Sequence, residues 1–120
     1  MNTVDFIVAG DATRAKLTVV QALEMRKFRL KWASEWDAVA ERGNKVANVL
    51  AGALAQYFKV EVLVRSAPDG NGIIRLVKSS KGYMGGALGA HRTTKNFDAL
   101  AAELEAAFRA AGVLVHMQTT

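Results

Sequence analysis

Phe58-Lys59-Val60-Glu61-Val62-Leu63-Val64-Arg65, then Pro68-Asp69-Gly70-Asn71-Gly72, then Ile73-Ile74-Arg75-Leu76-Val77-Lys78, is the stretch that decides the fold. Phe58, Val60, Val62 and Val64 occupy every second position, with Lys59, Glu61 and Arg65 between them. Successive side chains of a strand point to opposite faces, so this alternation marks a strand with one buried and one wet face. Pro68 to Gly72 combines a fixed φ, side chains that bond their own backbone and two glycines, which makes a turn. The run over 73–78 completes a hairpin.

On the N-terminal side, Val4-Asp5-Phe6-Ile7-Val8 reads as a short strand ended by Gly10. Asp11 is placed to N-cap a helix over 12–26 whose apolar stripe is Ala12, Ala15, Val19, Ala22 and Leu23. Phe28, Leu30 and Trp32 then alternate with Arg29 and Lys31, a half-buried strand with a basic outer face. Residues 36–42 read either as its hairpin partner, with Ala38 and Ala40 inward, or as the start of an alanine-rich helix. Residues 45–57 are rich in small residues and read as a helix. On the C-terminal side, Asn96 is placed to N-cap a helix over 97–111 with Phe97, Leu100, Ala101, Leu104 and Phe108 on one face. Gly112 stands where a left-handed C-cap belongs, and 113–117 reads as a closing strand.

The order β-α-β-β-(α)-β-β-α-β implies an α+β two-layer sandwich, with a mainly antiparallel sheet and helices packed on one face. With 120 residues and no linker-like segment, a single α+β domain over 1–120 is expected. The chain has no Cys, which excludes disulfides, thiolate metal sites and thiol nucleophiles. Met1-Asn2-Thr3-Val4-Asp5 shows no signal-peptide pattern. The uncharged stretch 46–58 is shorter than the roughly 20 apolar residues of a transmembrane helix. A cytoplasmic location without a transmembrane segment is therefore expected. The net charge of +5 and pI near 9.8 permit attraction to polyanions without identifying one.

No reaction chemistry stands out. His91 and His116 are far apart and lack the companions of a metal site. No Ser sits in a Gly-x-Ser-x-Gly turn, and Ser79-Ser80-Lys81 is not a Ser-x-x-Lys arrangement. No catalytic residue, metal ligand or cofactor is nominated, and the chain leans away from being an enzyme.

Two features suggest binding. Trp32, Trp36, Tyr57 and Tyr83 stand near element ends, where large rings can line an apolar pocket between sheet and helix; plain core packing is the competing account. The segment 81–92 holds four glycines within Gly82, Gly85, Gly86 and Gly89, flanked by Lys81 and Arg92. It reads as a connection over the sheet edge, as a close-packed helix contact, or as a backbone cradle for an anion. The candidate ligand-binding set is thus Trp32, Trp36, Tyr57, Tyr83, Gly85, Gly86, Lys81 and Arg92. The leading expectation is a non-enzymatic binding module for an apolar or amphipathic small ligand or a protein partner, in a chain that is monomeric or a homodimer. The alternative is nucleic-acid or anionic-surface binding through the basic sheet face. It is not favoured, because Phe28 and Trp32 fall opposite Arg29 and Lys31, whereas RNA-stacking sheets expose rings among the charges.

Overall fold

The computed structural model describes residues 2–43, 58–78 and 86–120, except for the side chains of 86–93. Along the chain these form β1 (Thr3–Val8), α1 (Ala12–Met25), β2 (Arg29–Trp32), β3 (Asp37–Arg42), β4 (Phe58–Ser66), β5 (Gly72–Lys78), α2 (Gly86–Ala110) and β6 (Leu114–Thr119). The helix expected over 45–57 lies outside the described residues.

The strands make one sheet in the order β2-β3-β4-β5-β1-β6, and every neighbouring pair is antiparallel. The 58–78 hairpin forms its centre, with Val62 opposite Leu76 and Val64 opposite Ile74. Residues 37–42 are a strand rather than a helix. Ala38 and Ala40 lie opposite Val62 and Val60, so the period-two pattern prevails over the helix propensity of alanine. β1 enters between β5 and β6.

Both helices cover one face. Val4, Phe6 and Val8 of β1, Phe58 to Val64 on alternate positions of β4, and Ile74 and Leu76 of β5 are buried with the stripes of both helices in one apolar cluster. The α1 stripe is Ala15, Val19, Ala22 and Leu23; that of α2 is Phe97, Leu100, Ala101, Leu104 and Phe108. Two edge-to-face ring contacts anchor the ends of this core. Phe6 meets Phe108 at 5.3 Å and Phe28 meets Phe58 at 5.9 Å between ring centres, a geometry that matches positive ring edges to negative faces.

Gly72 sets the spacing between α1 and the sheet. A Cβ there would lie 2.4 Å from the Ala15 Cβ and 3.0 Å from the Asp11 carbonyl oxygen. Asp11 caps the helix, its Oδ1 accepting from the Arg14 N–H at 2.9 Å, which satisfies one of the unpaired first-turn donors. The helix N-terminus therefore rests directly on the first residue of β5.

The two helices end in the same way. In α2, Gly112 N–H donates to the Arg109 carbonyl and Val113 N–H to the Phe108 carbonyl, with Gly112 at φ 73°. In α1, Lys27 N–H donates to the Glu24 carbonyl and Phe28 N–H to the Leu23 carbonyl, with Lys27 at φ 70°. Both are left-handed caps that satisfy the last carbonyls. The first uses the residue suited to that conformation and the second does not.

α2 begins ten residues before the expected N-cap Asn96. Gly86, Gly89, Thr93 and Thr94 are poor helix formers, which is why the sequence places the boundary later, yet propensity is a weak constraint beside tertiary contacts. Thr94 receives such a contact, its Oγ1 accepting from the Lys78 Nζ of β5 at 3.1 Å. Gly86 and Gly89 therefore stand in a helix, and the reading of this part as an open connection is corrected.

Lys27→Gly is expected to raise stability by about 1 kcal/mol through relief of the left-handed strain, measured as a higher urea midpoint at unchanged slope. Gly72→Ala is expected to cost about 1–3 kcal/mol, because Ala15 and the helix above it must move; an unchanged midpoint would mean that α1 is not seated as described.

Candidate functional site

The helix-free face of the sheet is where the sequence places its basic groups. Arg29, Lys31, Lys59, Arg65 and Arg75 all project there, but so do Asp5, Asp37, Glu41 and Glu61. Five cations against four anions leave this face at +1. The pairing is direct. Arg75 Nε and Nη2 donate to the two Asp5 oxygens at 2.7 and 2.9 Å. Arg65 Nη1 lies 2.7 Å from Asp37 Oδ1, and Lys31 Nζ lies 3.3 Å from Glu41 Oε1. Asp5 raises the Arg75 pKa above its ordinary value, first through the hydrogen bond and then through its charge. Val39, Leu63, Ile73, Val77 and Ile7, all half-buried, fill the gaps between these pairs. The face is thus a mixed aliphatic and ion-paired surface rather than a basic one. Among the described residues it carries no Phe, Tyr or Trp, and its one ring is the imidazole of His116 opposite Ile7.

The rings lie elsewhere. Trp32 ends β2 opposite Ala38, which puts it on the helix side of the sheet, at the edge that is free among the described residues. Trp36 precedes β3, its carbonyl accepting from Val64 N–H at 2.8 Å. The turn between them is fixed by Ser34, whose Oγ accepts from Asp37 N–H at 3.2 Å. Ala15 of α1 points down at Gly72, so Lys16, one position further round the helix, points sideways to this turn. Its ammonium stands 4.3 Å from the Trp32 ring centre and 5.4 Å from that of Trp36, and it donates to the Glu35 carbonyl. The negative faces of two indoles and a carbonyl oxygen hold one cation.

This corner is open to solvent: Trp32 is 36% exposed, and Lys31 and Glu35 beside it are exposed. Next to it, Ala12, Trp36, Val64, Arg65 and Ser66 line a cleft of about 230 Å³. Pockets that enclose drug-sized ligands run to about 300–1,000 Å³.

Of the candidate ligand-binding residues, the structure brings Trp32 and Trp36 together. Tyr57, Lys81, Tyr83 and Gly85 lie outside the described residues. Gly86 and Arg92 belong to α2, in the part whose side chains are not described. Lys16 was missed because its signal is helical phase: it directly follows the buried Ala15, on the flank nearest β2. No group of three or more His, Asp or Glu side chains is arranged to hold a metal among the described residues, and no helix there is long and apolar enough to cross a membrane. No protein-family model matches the chain, and no curated protein matches it significantly.

Lys16→Met removes the cation and keeps the length of the side chain. It is expected to cost about 0.5–1 kcal/mol and to shift the tryptophan emission. An unchanged emission spectrum would show that the ammonium is not held between the rings.

Proposed function

We propose that this chain is a cytoplasmic, non-enzymatic binding module whose partner is a protein segment docked at the Trp32–Trp36 corner and along the free edge of β2. The observation that carries the reading is an exposed Trp32 beside a half-buried Trp36, pre-arranged about Lys16, next to a strand edge that is unpaired among the described residues. Tryptophan is the residue type most enriched among side chains that dominate binding energy, since it buries much area at little entropic cost. A strand edge adds main-chain hydrogen bonds to an extended partner. Arg29 and Lys31 share the single carboxylate of Glu41, and the surplus positive charge they leave at that edge, with the net charge of +5, favours an acidic, amphipathic segment.

Two other readings have less support. A small apolar ligand would need more enclosure than a 230 Å³ cleft provides. Nucleic-acid binding through the sheet would use the charges that Asp5, Asp37 and Glu41 already partner.

The test is selection of binders from a displayed library of random peptides on the full chain. Acidic peptides with apolar anchors are expected, and Trp32→Ala is expected to weaken them by about tenfold or more with the far-UV circular dichroism unchanged. Peptides that bind Trp32→Ala as well as the wild type would reject this site. Tight, steeply salt-dependent binding of a single-stranded oligonucleotide would favour the polyanion reading instead.

A further inference from the structure

The two edges of the sheet differ in a way that the Trp32–Trp36 corner does not use. β2 has four residues and carries Arg29 and Lys31. β6 has six residues, Leu114-Val115-His116-Met117-Gln118-Thr119, with no Asp, Glu, Lys, Arg or Pro. Edges that must not pair with another copy of the chain are kept short, charged or interrupted by proline. β2, whose Arg29 and Lys31 repel a like strand while admitting an acidic one, follows that rule, and β6 does not. β6 pairs with β1 on one side and, among the described residues, ends the sheet on the other. Thr120 and Thr3 exchange N–H to carbonyl bonds. By the alternation of an antiparallel ladder, the main-chain groups of Thr119 and Met117 then point away from β1.

We infer that β6 pairs antiparallel with β6 of a second copy of this chain, joining the two sheets into one across a two-fold axis. Three observations single out a second copy as the occupant. An uncharged strand meets its own reversed copy without like charges coming opposite each other. Three of the six side chains at this edge are apolar and incompletely covered: Leu114 and Met117 are half-buried against the core, and Val115 is 56% exposed; His116, Gln118 and Thr119 are polar and exposed. The helix above the edge is also self-complementary. Glu103 of α2 faces Arg26 of α1 across 3.7 Å, so the opposite flank, with Asp98, Ala102, Glu105 and Arg109 at helical spacing, overlooks β6. A two-fold axis through β6 sets two α2 helices antiparallel. The Asp98 end of each then lies beside the Arg109 end of the other, above a floor of Leu114 and Met117 from both copies. Arg109 holds Glu105 of its own helix through Nε and Nη2, which leaves Nη1 to meet Asp98 across the seam. Pairing with β2 of another copy instead would bring Arg29 and Lys31 to the seam with no acid on β6 to meet them, and it would not close on itself.

The test is light scattering coupled to size exclusion on the full chain over a range of concentrations. The wild type is expected at twice the 12.9 kDa chain mass. Val115→Lys, at an exposed position, is expected to weaken the dimer by about tenfold or more with melting of the monomer unchanged. Asp98→Arg, which sets a second arginine against Arg109, is expected to weaken it, and adding Arg109→Asp, which also places a carboxylate beside Glu105, to restore it in part. A wild type that stays monomeric at every concentration would overturn the inference. So would a dimer indifferent to Val115→Lys but broken by Leu63→Lys, or growth into species larger than the dimer, which would point to the helix-free face or to β6–β2 pairing.

Discussion

The missing side chain at Gly72 is the constraint on which the rest of the arrangement depends. Gly72 lies opposite Val8 in one direction and Ser66 in the other, so it ties together the three central strands at the level where α1 begins. Ala15 occupies the space that a Cβ would need. This contact fixes how near the helix comes to the sheet and the angle at which it is turned. Val19, Ala22 and Leu23 then meet the strands, and Lys16 is delivered to the tryptophans. The Trp32–Trp36 corner is thus a result of packing at a point away from it.

The architecture was legible because most of it is written in period. Alternation in 58–64 and 73–78, and the stripes 15/19/22/23 and 97/100/101/104/108, gave the strands, the helices and their buried faces. The boundary of α2 was not legible, since a run of glycines and threonines carries no stripe and its helical state is held by contacts such as Lys78 with Thr94. The strand state of 37–42 could be weighed but not decided, because alanine suits either period. The order of strands, with β1 between β5 and β6, depends on pairings between residues far apart in sequence.

The candidate site was half legible. Trp32 and Trp36 could be named from their size and position near element ends, and the structure places them at one corner. Lys16 could not, because a lysine on a helix flank is ordinarily just solvated. The charge of the helix-free face was legible residue by residue but not in sum. Asp5 and Arg75 are 70 positions apart and become partners only when β1 is laid beside β5. Composition reports a basic protein; the register turns one of its faces almost neutral.

The two tryptophans are the only ones in the chain, and both stand at the same corner, while the buried rings are phenylalanines. Intrinsic fluorescence excited at the indole band therefore views the β2–β3 turn and the margin of the core against which Trp36 packs. Circular dichroism in the far ultraviolet views the sheet and both helices. If the turn opens while the core stays packed, the first signal changes and the second does not. The chain thus carries a built-in optical probe for local motion, separable from global unfolding.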